Sequence, residues 1–145
     1  MLFTELTKKA LRISFDAHRD QVDKSGLPYV YHPFEVAERV EGEYATCAAL
    51  LHDVVEDTDI SIEELETIFP REVTQALRLL THRKEVPYLD YVRALKYDPI
   101  AKAVKLADLA HNSDLGRLDT VTEKDLKRVE KYRTARRILL GEEES

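Results

Sequence analysis

Leu51-His52-Asp53-Val54-Val55-Glu56-Asp57-Thr58 decides the reading of this chain. It sets two potential metal ligands and two further carboxylates within about one and a half helical turns. Upstream, Ala45, Ala48, Leu51 and Val55 form an apolar stripe at helical spacing, which predicts a helix over about 44–55. Adjacent helical side chains diverge by roughly 100°. His52 and Asp53 can therefore share one ion only if it sits off the helix end. Glu56 stands four residues after His52, and Asp57 four after Asp53. A continuing helix would stack each beside its partner, near an ion without ligating it. That position suits a group that orients or deprotonates water.

Working outward, the pattern stays helical. Thr4 caps a first helix expected to reach about Gln21, and Val22 to Tyr31 reads as a loop marked by Ser25-Gly26 and Pro28. Pro33 fits a first helical position with His32 as N-cap, in a short helix ending near Val40 to Gly42. Ser61 and Glu64 make a capping box for a helix reaching Phe69, and Pro70 opens another through Leu80. Tyr88 to Lys96 follows the Pro87 break, and Asp98-Pro99 starts a helix through Asn112. Thr122 to Leu140 is the last helix, stopped by Gly141. No run alternates with period two. The expectation is a compact all-α fold in a single domain over 1–145, with its core at about 4–118 and the C-terminal helix at about 122–140.

His32 upstream and Asp108 downstream join His52 and Asp53 as a metal site assembled from three helices. Two imidazoles and two carboxylates without thiolates suit Mn²⁺, Fe²⁺ or Zn²⁺ better than Ca²⁺. Asn112 and His111 lie one turn beyond Asp108, where Asn112 can bond a sugar, base or phosphate oxygen. Lys24, Lys105 and Arg19 are cations available to phosphates, or ordinary solvated side chains. Bland readings suit the other rings: His18 structural, Tyr29 packing, His82 surface.

Composition bounds the partners. The net charge of −6 argues against broad binding to a nucleic-acid polymer but permits a small anionic ligand near a metal. No stretch approaches the length of a membrane span. Cys47 is the only cysteine and reads as a small buried hydrophobe. No signal peptide is visible, so the expected compartment is the cytoplasm. The basic run of the last helix, interleaved with Glu123, Asp125 and Glu130, fits a solvated face, a cleft border or a subunit contact.

The ordered set resembles the HD superfamily of metal-dependent phosphohydrolases, and more narrowly the hydrolase domain of RelA/SpoT proteins and the small alarmone hydrolases. The likeness runs through Ala17-His18-Arg19-Asp20-Gln21 and Ser25-Gly26-Leu27-Pro28-Tyr29-Val30-Tyr31-His32-Pro33. It continues in His52-Asp53-Val54-Val55-Glu56-Asp57-Thr58 and in Val104-Lys105-Leu106-Ala107-Asp108 with His111-Asn112. The resemblance implies one metal, often Mn²⁺, on His32, His52, Asp53 and Asp108. It implies that Glu56 and Asp57 position or activate water, and it places Asn112 against the nucleotide. Lys24, Ser25 and Lys105 complete the candidate substrate-binding set. The implied reaction removes the 3′-pyrophosphate of ppGpp or pppGpp, leaving GDP or GTP. Another nucleotidase or phosphodiesterase of this superfamily, or a nucleotide sensor without turnover, are the competing readings. Two positions depart from the family pattern: Asp23 stands where a basic residue commonly helps hold guanine, and Leu109 stands where Arg is usual.

Overall fold

The computed structural model describes residues 1–142. Its organising element is a helix that is apolar on every side. Ala45, Thr46, Cys47, Ala48, Ala49, Leu50 and Leu51 are all buried in helix α3, Glu43–Leu51. A helix with no polar face can only be central. Its small residues allow close approach on all sides, while Leu50 and Leu51, each fully buried, contribute about 1.5–3 kcal/mol apiece.

Around α3 pack α1 (Glu5–Ala17), α2 (Tyr31–Glu38), α6 (Arg71–Leu80) and α8 (Pro99–Asn112). Two short helices, α4 (Val54–Asp57) and α5 (Ile62–Glu66), lead from α3 to α6. Helix α7 (Tyr88–Leu95) lies against α6, and α9 (Glu123–Leu139) crosses α7 and α8. A 3-10 turn, Leu115–Arg117, links α8 to α9. No strand forms among the described residues; Val22 and Pro28 make a single antiparallel bridge. The all-α expectation therefore holds. No helix among the described residues is long and apolar enough to cross a membrane.

Most caps act as their residue types require. Thr4 caps α1 reciprocally with Thr7, Ser61 accepts from the Glu64 N–H, and Asp98 accepts from the Ile100 and Ala101 N–H groups ahead of Pro99. Thr122 and Asp125 form a capping box on α9, and Gly141 takes φ 73° at its end.

Three boundaries differ in ways that matter. Helix α1 stops at Ala17 rather than near Gln21: His18, its C-cap, leaves helical geometry at φ −98° and ψ 11°. His32 is not an N-cap. It lies inside the first turn of α2, with Val30 as the cap, and this frees its ring to turn inward. The helix expected to run unbroken from Tyr44 to Val55 is interrupted at His52 and Asp53. Asp53 takes φ −102° and ψ −4°, and helix resumes only at Val54.

Candidate metal centre

The break at the end of α3 cancels the angular divergence that an unbroken helix would impose. His52 Nε2 and Asp53 Oδ2 stand 3.1 Å apart, on the same side of the chain. His32 enters from α2 and Asp108 from α8. His32 Nε2 lies 2.8 Å from Asp108 Oδ1 and 3.7 Å from Asp53 Oδ2, while His52 Nε2 lies 3.4 Å from Asp108 Oδ1. His32, His52 and Asp53 each offer a ligand atom within 4.8 Å of the other two. His32, His52 and Asp108 are buried.

Proton placement tests whether a cation fits. His52 Nδ1 is 2.6 Å from the Ala49 carbonyl, which only accepts, so Nδ1 carries the proton. In the neutral ring Nε2 is then a lone pair. It is buried, without an aligned hydrogen-bond partner, and faces two carboxylate oxygens. Three electron-pair donors aimed at one buried point are unfavourable unless a cation lies between them. The residues fit a divalent ion, and the mixed nitrogen and oxygen set matches a first-row metal.

Neighbouring groups orient these donors. His32 Nδ1 is 2.7 Å from His111 Nδ1. Burial first, and then His32, push His111 down to about 4, so at neutral pH it is uncharged. The neutral ring can accept from the His32 Nδ1–H and leave His32 Nε2 free to ligate. Tyr29, read from sequence as packing, donates its hydroxyl to Asp53 Oδ2 at 2.5 Å. Asn112 Nδ2 donates to Asp108 Oδ1 at 3.0 Å, and Lys105 Nζ to Asp108 Oδ2 at 2.9 Å. Lys105 is thus committed to Asp108, with its ammonium 5.3 and 5.7 Å from the Tyr91 and Tyr88 ring centres.

The two spare carboxylates part company. Glu56 lines a cavity of about 160 Å³ together with His52, Asp53, His82 and Lys105. Its Oε1 accepts the His82 N–H at 2.6 Å, and burial raises its pKa. His82 is therefore not a surface residue. It is half-buried, stacks on Tyr91 at 4.5 Å and donates Nε2–H to the Val86 carbonyl. Asp57 is exposed, and its carboxyl is pushed up by partial burial and then by Asp53. Its backbone carbonyl accepts from Gln21 Nε2.

A second cavity, of about 260 Å³, contains Lys24, Ser25, Tyr29 and Asn112 together with Arg128 and Tyr132 of α9. Of the basic run of the last helix, Arg128 borders this cavity. Burial and then Arg128 hold the Lys24 pKa below its usual range, as expected where cations gather for an anion. Ser25 Oγ donates to Asp23 Oδ1 at 2.7 Å. Arg19 pairs with Asp16 at the surface, and His18 is buried with Nδ1 2.9 Å from Gln21 Oε1. Leu109 is buried in the core.

A family model described as the HD domain matches residues 10–142. The chain belongs to the HD domain family. Guanosine-3′,5′-bis(diphosphate) 3′-pyrophosphohydrolase MESH1 of Danio rerio is 38% identical over 128 residues, which are 79% of this chain and 71% of that protein. The Homo sapiens protein of that name is 40% identical over 114 residues, 69% of this chain and 64% of that one. The bifunctional (p)ppGpp synthase/hydrolase SpoT of Escherichia coli K12 is 31% identical over 120 residues, covering 72% of this chain and 17% of SpoT. The solved structure of a metazoan ortholog of SpoT that hydrolyzes ppGpp matches with a TM-score of 0.74 and 28% identity, over 98% of this chain and 87% of that chain.

In the metal-free HD domain, a proton on His52 Nε2 takes the cation's place. Burial opposes that charge, but Asp53 and Asp108 outweigh it and hold the His52 pKa well above its ordinary value. A raised folded pKa contributes stability that is complete below the unfolded value of about 6.5 and is lost as pH rises through the folded one. Despite burial, Asp53 is held at about 2 by His52, and Asp108 well below its usual range by Lys105; both act in the opposite sense, losing their contribution only in acid. The melting temperature of the metal-free protein should therefore fall as pH rises above about 6.5, and Mn²⁺ should flatten the fall. Melting curves with and without Mn²⁺ check this. A flat metal-free profile would show that no imidazolium is held there.

Proposed function

We propose that this HD domain is a metal-dependent phosphohydrolase that removes the 3′-pyrophosphate of guanosine 3′,5′-bis(diphosphate) or its pentaphosphate, leaving GDP or GTP. One observation carries the reading: His52 Nε2, buried without an aligned hydrogen-bond partner and turned toward Asp53 and Asp108 beside His32. Relatives named for this reaction support the choice of substrate. The proposed ligands are His32, His52, Asp53 and Asp108, with Mn²⁺ as the proposed ion and Fe²⁺ or Zn²⁺ as its alternatives. The proposal takes the chain as one HD-type domain acting on a small nucleotide, in the cytoplasm.

His32, His52, Asp53 and Asp108 would hold a divalent ion, which would supply Lewis acidity toward the phosphoryl group and lower the pKa of a bound water. The remaining work falls to the chain. Lys24, Ser25, Asn112 and Arg128 line the cavity that Tyr29 and Asn112 link to Asp53 and Asp108, and they receive the phosphates. Glu56 lies in the other cavity, with one oxygen fixed by the His82 N–H. Its raised pKa suits it to accept the proton of the attacking water. Asp57, whose carboxyl is pushed up by burial and then by Asp53, steers that water. Tyr29 keeps Asp53 in place, and His111 does the same for His32.

Purified protein with Mn²⁺ should release pyrophosphate from ppGpp. Turnover of other nucleotides but not ppGpp would reassign the substrate within the same chemistry. Tight ppGpp binding without product over hours would make it a sensor instead. Glu56→Gln keeps the hydrogen bond from the His82 N–H but removes the proton acceptor, so kcat should drop by about 10²–10⁴ with metal content unchanged. An unaltered kcat would take Glu56 out of the mechanism.

A further inference from the structure

In the lining of the cavity that holds Lys24 and Arg128 stands an ion pair between residues far apart in sequence. Arg117, at the close of the 3-10 turn, donates Nη1–H to Asp23 Oδ2 at 3.2 Å. Its Nη2 donates to the His111 carbonyl, also at 3.2 Å. Anchors on two separate elements fix the plane of the guanidinium. Its Nε is shielded from solvent and has no acceptor. Asp23 is itself committed: Oδ1 receives the Ser25 N–H, the Ser25 hydroxyl and the Leu27 N–H. A part-exposed ion pair adds little to stability, whereas a shielded donor left without an acceptor is costly. Stability alone therefore gives no reason to fix Arg117 here.

Its position does. Asp23 and Arg117 form a wall common to the 260 Å³ cavity and to a neighbouring one of about 430 Å³, where Tyr31 and Phe34 supply aromatic surface. A nucleotide whose phosphates met Lys24 and Arg128 would share its cavity with this wall.

We propose that Arg117, positioned by Asp23, selects the nucleobase and favours a 6-keto purine over a 6-amino purine; this rests on the nucleotide phosphohydrolase reading above. A guanidinium has only donors to offer. Guanine presents two adjacent acceptors, O6 and N7, whereas adenine places an amino donor beside N7. A fixed planar donor set rewards the first and opposes the second. In this chain the base-reading cation comes from the turn after α8, and the acidic residue in the Ser25-Gly26 loop holds it.

The test measures GDP and ADP affinity by calorimetry on the Mn²⁺-loaded protein, alongside kcat and KM for guanosine and adenosine 3′,5′-bis(diphosphate). Wild type should prefer guanine by about tenfold to a hundredfold. In Arg117→Ala the ratio should fall to near one, with the loss in Kd and KM for guanine rather than in kcat. Arg117→Lys keeps the charge without the planar fork and should also lose the preference. Asp23→Asn can still accept the loop donors at Oδ1, and should weaken guanine binding by freeing Arg117. Equal GDP and ADP affinity in wild type, or a preference that survives both Arg117 variants, would overturn the proposal. A guanine preference without turnover would overturn the hydrolase reading and leave this inference standing. Turnover of both nucleotides at equal affinity would do the reverse.

Discussion

Asp53→Ala is expected to reduce ppGpp hydrolysis by more than about a thousandfold and to strip the protein of bound metal. Lewis-acid stabilisation contributes several kcal/mol to phosphoryl chemistry, and about 4 kcal/mol is a factor of a thousand. Asp53 is the carboxylate nearest His52 Nε2, at 3.1 Å, so its loss opens the ligand set where the donors converge. The fold should survive. Asp53 is one member of a cluster at the edge of a core that stays packed, so the cost is the lost attraction to His52, which outweighs the Asp108 repulsion, and the metal-free variant should melt lower without unfolding. Circular dichroism and metal analysis should accompany the assay. An inactive, metal-free, folded variant is the expected result, and His52→Ala should behave likewise. Full activity in either would defeat the metal assignment.

Lys105→Met should destabilise the metal-free protein by about 3–5 kcal/mol, because it leaves the buried Asp108 carboxylate without its cationic partner. Burial alone would depress the Lys105 pKa, yet Asp108 beside it holds the value well above the ordinary lysine range. The ammonium is therefore charged at neutral pH. Met keeps much of the apolar stem that packs toward Tyr88 and Tyr91, so the loss measures charge more than volume. Mn²⁺ should restore part of the stability by giving Asp108 another cation to face. Denaturant melts with and without the ion would read both effects. Were Lys105 a phosphate contact alone, as the sequence also allowed, KM would rise while the melting midpoint stayed put.

How the site was legible follows from the range of the forces involved. His52-Asp53 and Glu56-Asp57 are local spacings, and the flanking apolar stripe identified the helix that carries them. Asp98-Pro99, Ser61 with Glu64, and Thr122 are caps whose chemistry is complete within a few residues, and they act as caps in the structure. Tyr29 looked like packing because its partner Asp53 lies 24 positions away. His82 looked like surface because its role depends on a turn that brings its N–H to Glu56. The cleft face of Arg128 and Tyr132 could not be chosen from a helix whose charges alternate all round.

The resemblance of His32, His52, Asp53 and Asp108 to a family pattern grouped them as candidate ligands, while composition, helical periodicity and cap chemistry determined that this chain is all-α. Each of the latter signals arises from backbone geometry and solvation within one or two turns. Only the tertiary structure decided that α3 breaks at His52 so that Asp53 turns to the same point, that Lys105 serves Asp108, and that Asp23 grips Arg117. Those outcomes depend on which side chains lose water together. That is set by how α2, α8, α9 and the 3-10 turn pack in space, and no spacing along the chain records it.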